Sequence, residues 1–237
     1  MNGRFPIGRL LAVIASLALV VTAVGCGKKS STTSSTGTTS SASTTTATTA
    51  GGTQGGACAE ASGANMGERT SPEPTSTLDT SKTYVVTIET NCGTFKITMD
   101  SAQSPNAVAS FVSLVQNGFF DKTVFHRIVL GFVVQGGDPT GSGLGGPGYS
   151  TVDTPPADAT YPHGVVAMAK SQTEAPGTAG SQFFIIIGEN VGLPPEYAIV
   201  GTVTQGLDFV DYIGTFGDQA ENPTKLIEIE HASVAIS

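Results

Sequence analysis

The sequence predicts a mainly β domain, a closed antiparallel barrel or sandwich that carries two helices. Three observations lead there. After residue 82 the apolar runs are mostly short and rich in Val, Ile, Thr and Phe. Turns bearing Gly, Pro or Asn separate them, and only two stretches carry helical spacing. That combination belongs to packed or closed β architectures.

The elements follow in order. Thr83–Thr90 is rich in β-branched residues, and Asn91-Cys92-Gly93 supplies a turn. Thr94–Met99 alternates, with Phe95, Ile97 and Met99 on one face, so the pair predicts a hairpin. A helix follows, with Ser104 as its cap and Pro105 at its first position. Ala107, Val108, Phe111, Val112, Leu114 and Val115 form its apolar stripe, and Gly118 stands just past its end. Val124–Ile128 and Phe132–Gln135 predict two short strands around Gly131. Residues 136–149 form a glycine-rich loop. Val165–Ala169, Phe183–Ile187 and Ala198–Thr204 predict three further strands, Leu207–Ile213 a short second helix, and Leu226–Ile236 a closing strand.

The 237 residues divide into three regions. Residues 1–25 predict an export signal: Arg4 and Arg9 precede an apolar run, Leu10–Val24, too short for a membrane span. The run ends in Ala23-Val24-Gly25-Cys26, which resembles a bacterial lipoprotein processing box. That resemblance implies a lipid on Cys26 and an extracytoplasmic protein anchored to the cell membrane. Ordinary cleavage or an uncleaved anchor are the alternatives. Residues 26–81 predict a linker without core. Between Ser30 and Thr49 all but three residues are Ser or Thr, and such a run buries nothing to offset its ordering entropy. As a flexible stalk, residues 27–57 span roughly 30 Å end to end. Residues 82–237 make one domain, large enough for a single well-buried core.

The net charge of −8 argues against nucleic acid and anionic lipid headgroups as partners. Cysteines stand at 26, 58 and 92, without C-x-x-C, and the three histidines are far apart, so zinc spacing is absent and no metal or other cofactor is expected. Outside the cytoplasm Cys58 and Cys92 are candidates for a disulfide that pins the linker to the domain; two free thiols are the alternative. Gly141–Gly146 matches G-x-G-x-x-G but opens into Pro147-Gly148 rather than a helix, so it is read as a surface loop, not a nucleotide site. No long exposed apolar stretch remains, and a monomer is expected.

Two stretches carry the chemistry: Phe125–Asp138 (FHRIVLGFVVQGGD) and Gly180–Ile185 (GSQFFI). They resemble the cyclophilin-type peptidyl-prolyl cis-trans isomerases, and the likeness runs over residues 83–236. The resemblance implies an eight-stranded antiparallel barrel capped by two helices, with the active groove on its outer face. It implies that the enzyme binds proline-containing polypeptides and isomerises Xaa-Pro bonds of exported or cell-envelope proteins, assisting their folding. By the same resemblance Arg127 is the catalytic donor and Gln135 orients it. Phe132, Val133, Phe184, Leu193 and Tyr197 line the proline pocket. Gln182, with the backbone of Ala169 and Lys170, holds the flanking peptide. The chain departs from the family pattern at Val133, often a methionine, at Lys170, often an asparagine, and at Tyr197, often a histidine. A cyclophilin-fold binding module or chaperone with incidental turnover uses the same residues and remains the alternative.

Overall fold

The computed structural model describes residues 58–189 and 191–237; the predicted signal, Cys26 and the Ser/Thr-rich stretch lie outside the described residues. Among the described residues eleven strands and two helices follow one another as β1 (Tyr84–Thr90), β2 (Gly93–Met99), α1 (Pro105–Gln116), β3 (Thr123–Val124), β4 (Arg127–Val129), β5 (Val133–Gly136), β6 (Thr151–Val152), β7 (Val165–Met168), β8 (Thr178–Ala179), β9 (Phe183–Ile186), β10 (Ile199–Gln205), α2 (Leu207–Gly214) and β11 (Glu228–Ile236). Nine of the strands form one antiparallel sheet in the order β3-β11-β1-β2-β10-β7-β9-β5-β4, and β6 pairs with β8 apart from it.

The expectation of a closed, eight-stranded barrel is corrected in two respects. The main sheet has nine strands, and its end strands β3 and β4 do not pair with each other. They are nevertheless consecutive in the chain, joined only through Phe125 and His126. The backbone itself therefore bridges the seam. The physical reason lies in where the amide hydrogens go. Phe125 N–H donates to the Ile227 carbonyl at 3.0 Å, and Ile128 N–H donates to the Glu221 carbonyl at 3.0 Å. The run read as one strand, Val124–Ile128, thus breaks into β3 and β4 at the seam. The two-residue strands β6 and β8 carry too little apolar pattern to have been read.

Alternation along the strands sorts the side chains into two layers. Val134, Phe183, Ile185, Val166, Met168 and Ile128 point inward with Phe95, Phe111 and Phe120. Phe183 is fully buried and meets Phe111, Phe120 and Phe125 edge-on, at centroid distances of 5.3, 5.7 and 6.0 Å. Offset and edge contacts of this kind add to the area that the rings bury. Val133, Phe184, Ile186, Ala167 and Ile199 face the other way and form a second, outer cluster with Phe132, Leu193 and Tyr197.

Helix α1 buries its predicted stripe. Ser104 holds the cap position but makes no side-chain cap bond. The carboxylate at the helix start belongs to Asp153, which accepts from Ala107 N–H at 2.7 Å and from Asn106 Nδ2 at 2.8 Å. A carboxylate suits the exposed amides and the positive end of the helix dipole. Gly118 follows the helix with φ +65°, as a C′ glycine does.

Residues 58–81 depart from the expectation of a linker without core contact. Cys58 is bonded to Cys92 and joins the inner core, and Leu78 packs against that core. Asn91 ties Ala59 through backbone and side chain and also binds Leu226 and Glu228. The wholly buried Glu228 carboxylate receives Ser62 Oγ, Gly63 N–H and, at 2.9 Å, Lys122 Nζ. Burial alone would raise this carboxyl. The bonds from Lys122, Gly63 and Ser62 outweigh burial and hold it below the usual range. The arm is polar, so it carries no hydrophobic signal. Hydrogen bonds and one disulfide fasten it instead.

Candidate active site

Three adjacent strands build the site. In β4, β5 and β9 the register sets Arg127 opposite Gln135 and Gln135 opposite Phe184. One row across the sheet thus carries a cation, an amide and an aromatic ring on the outer face. Val133, two residues before Gln135, and Gln182, two before Phe184, share that face because strand side chains repeat every second residue. The turn between β4 and β5 places Phe132. Its N–H donates to Val129 O at 3.0 Å, and Gly131 takes φ +64°, where a side chain would be strained.

A cavity of about 180 Å³ is lined by Arg127, Phe132, Val133, Gln135, Ala169, Lys170, Phe184, Leu193 and Tyr197. Nine of the ten substrate-groove residues named from the sequence therefore converge on one small cavity. The tenth, Gln182, stands beside it. Its Oε1 accepts Gln135 Nε2 at 3.1 Å, and its Nε2 donates to the carbonyls of Gly143 and Gly145 at 2.9 and 3.0 Å. Gln182 and Gln135 both also line a larger neighbouring cavity of about 660 Å³.

Polar contacts run as a chain. Arg127 Nε donates to Glu221 Oε2 at 2.7 Å, and Arg127 Nη1 donates to Gln135 Oε1 at 3.0 Å. Gln135 passes the order on to Gln182, and Gln182 to the glycine-rich loop. Glu221 was not found from the sequence. It lies 94 residues from Arg127, on a turn where its φ is +66° and where Asp218 Oδ1 accepts the amides of Ala220 and Asn222. The Glu221 carbonyl receives β4 while its carboxylate receives Arg127, so one residue fixes both the strand and the side chain. No local motif announces such a contact.

The apolar wall is braced from behind. Tyr197 meets Phe184 edge-on at 5.3 Å and Tyr161 at 6.0 Å. The Tyr161 hydroxyl donates to Tyr197 O at 2.9 Å and accepts Tyr197 N–H at 3.0 Å, which fixes the backbone of that wall. Lys170, expected to matter through its backbone, contributes its side chain. That chain is 4 % exposed, its ammonium pairs with Glu196 at 2.9 Å, and it lies 5.7 Å from the Tyr197 ring centroid. The backbone N–H of Ala169 is taken by Gln182 O at 2.8 Å.

Three further buried or half-buried groups lie on or near the same strands. Ser181 is buried and donates to Gly137 O at 2.7 Å, a structural bond that ties β9 to the loop after β5. Asp138 is buried beneath the glycine-rich loop. Burial would raise its carboxyl, but bonds from the Thr140 amide and hydroxyl, Gly145 and Gly143 outweigh this and hold it below the usual range. His126 precedes Arg127. Neither of its ring nitrogens has a partner, and burial lowers its pKa from the ordinary value.

Residues 85–234 match the family described as cyclophilin type peptidyl-prolyl cis-trans isomerase/CLD. The chain is 37 % identical over 169 residues to the probable peptidyl-prolyl cis-trans isomerase A of Mycobacterium leprae, covering 63 % of this chain and 91 % of that one. It is 36 % identical over 173 residues to peptidyl-prolyl cis-trans isomerase A of Mycobacterium tuberculosis, covering 65 % and 93 %. Among solved structures, a Cryptosporidium parvum cyclophilin type isomerase superposes with a TM-score of 0.59 at 32 % identity, over 65 % of this chain and 98 % of that one. A second structure of the parasite protein, solved in the presence of the dipeptide Ala-Pro, gives 0.58 at 32 % identity over 64 % and 98 %.

Proposed function

The chain belongs to the cyclophilin-type peptidyl-prolyl cis-trans isomerases, and on that premise we propose that it isomerises Xaa-Pro bonds of exported or cell-envelope proteins from a lipid anchor at Cys26. The observation that carries the groove assignment is the hydrogen-bonded Arg127–Gln135 pair in the lining of a small cavity whose walls include the rings of Phe132 and Phe184. The structure of the parasite relative solved in the presence of the dipeptide Ala-Pro supports a proline ligand. The signal-like run ending at Cys26 supports export and anchoring.

The reaction changes no covalent bond. Its barrier of about 18–20 kcal/mol is the loss of C–N resonance when the peptide plane twists. A catalyst must bind the twisted amide better than either planar form. In the twisted state the proline nitrogen regains a basic lone pair. Phe132, Phe184 and Leu193 hold the ring, so the bond before it turns against a fixed partner. Arg127 has spent Nε on Glu221 and one Nη1 hydrogen on Gln135. The remaining guanidinium hydrogens are free for the substrate, one of them for the proline nitrogen. The guanidinium is oriented by Glu221 and Gln135 before the substrate arrives, so little reorganisation is spent at the moment of twisting.

Two measurements on the whole chain test this reading. Isomerisation of an Xaa-Pro peptide is expected to be fast with the wild-type protein and lost in Arg127→Ala; equal turnover by both overturns the role of Arg127. Membrane fractionation and palmitate labelling in a bacterium are expected to show label and membrane retention, both lost in Cys26→Ala. Retention without label overturns the anchor.

A further inference from the structure

The larger cavity beside the proline pocket has a wall that comes from the N-terminal arm. Glu68 lines it, together with Gln135, Ala169, Lys170 and Gln182, which also border or brace the proline pocket. The two cavities share Gln135, Ala169 and Lys170 in their linings, so the larger one adjoins the small one and is within reach of residues that flank a proline seated there.

Glu68 is held in place. Immediately before it, Gly67 N–H donates to Pro139 O at 2.8 Å. Immediately after it, the Arg69 guanidinium donates to the carbonyls of Phe119, Asp121 and Asn65 at 2.6, 2.8 and 2.6 Å. Ser71 N–H donates to Pro147 O at 3.0 Å, and the Cys58–Cys92 disulfide secures the arm further back. The Glu68 backbone is thus fastened on both sides while its side chain is exposed at the cavity.

The charges around this space are unequal. Glu68 and Glu174 line it with carboxylates. The single cation among the lining residues, Lys170, already pairs with Glu196 at 2.9 Å. Arg69 is spent on backbone carbonyls, and Glu68 makes no ion pair among the described residues. Glu174 has accepted the Ser171 amide at 2.6 Å, which leaves Glu68 as the freer of the two acids.

We propose that Glu68 is a specificity-determining residue of the isomerase, selecting substrates with a lysine or arginine at one position flanking the proline. The proposal rests on the reading that places proline in the smaller cavity. An exposed ion pair of this kind changes binding by about two- to five-fold. Its strength falls as salt screens it.

The test uses the whole chain and a series of Xaa-Pro peptides with Lys, Gln or Glu at each flanking position in turn. The quantity read is the ratio of kcat/KM for the Lys peptide to that for the Glu peptide, which does not depend on how much protein is folded. At one position and low ionic strength the ratio is expected to be about two to five, to fall toward one in Glu68→Gln, and to invert in Glu68→Lys. High salt is expected to flatten the wild-type ratio. A ratio near one at every position in the wild type, or a ratio that Glu68→Gln leaves unchanged, overturns the proposal, as does a ratio that follows Glu174→Gln alone. Undiminished turnover of the Gln peptide by Phe132→Ala would overturn the proline placement instead, whatever the ratio does.

Discussion

Arg127→Lys is the sharpest test of the groove, because it keeps the charge and removes only the geometry. In the structure the guanidinium serves three directions at once: Glu221 through Nε at 2.7 Å, Gln135 through Nη1 at 3.0 Å, and the cavity through what remains. A lysine ammonium is a compact donor on a flexible stem and cannot reproduce that planar fork. Drawn to Glu221, it leaves the cavity without a fixed donor. Losing one preorganised donor to a charge that develops in a transition state costs about 100-fold or more in kcat, or about 2.7 kcal/mol. Arg127 is about one-third exposed, so stability should change by under about 1 kcal/mol. The assay is isomerisation of an Xaa-Pro peptide with the melting temperature measured in parallel. The expected result is a loss of about 100-fold in kcat/KM, close to that of Arg127→Ala, with the fold intact. A lysine variant that keeps more than about a third of the wild-type rate would show that positive charge alone suffices, and the three-way geometry would be refuted.

Other outcomes follow from the same contacts. Glu221→Gln keeps the shape but weakens the grip on Arg127, so kcat is expected to fall about three- to ten-fold with KM nearly unchanged; a rise in KM alone would show Glu221 to act on substrate binding instead. Replacing both Cys58 and Cys92 by alanine opens a loop with a sequence separation of 34 and is expected to remove about 4 kcal/mol, read by denaturant unfolding under non-reducing conditions; unchanged stability would mean that the arm's hydrogen bonds suffice. The Glu228 carboxyl is held below its ordinary range, so its stabilisation is present above the unfolded carboxyl pKa and is lost as the pH falls through its folded value. Melting temperature should therefore drop on acidification less in Glu228→Gln than in the wild type, and parallel curves would refute the linkage. Lys122→Met, which strands that carboxylate, is expected to cost about 1–3 kcal/mol at neutral pH and less in acid.

What the sequence determined by itself is what periodicity and local chemistry encode. Short apolar and β-branched runs between turn residues placed β1, β2, β5, β7, β9, β10 and β11 to within a few residues, and helical spacing gave α1 and α2. Two contiguous motifs named Arg127, Phe132, Gln135, Gln182 and Phe184, because each motif lies along a single hairpin or strand. Strand alternation then leaves little choice about which side chains share a face. Tertiary structure decided the contacts between residues far apart in the chain. Glu221 reaches Arg127 across 94 positions, Asp153 takes the cap expected of Ser104, and Tyr161 holds the backbone of Tyr197. The seam of the sheet depends on which carbonyls Phe125 and Ile128 find, and so does the count of nine strands rather than eight. The arm is the clearest case: its residues are polar and read as linker, yet Asn91, Glu228 and Cys92 fasten it to the domain and bring Glu68 to the groove. Hydrophobic pattern is written in consecutive residues, whereas a hydrogen bond or a disulfide to a distant partner leaves no periodic trace, so only the folded chain reveals it.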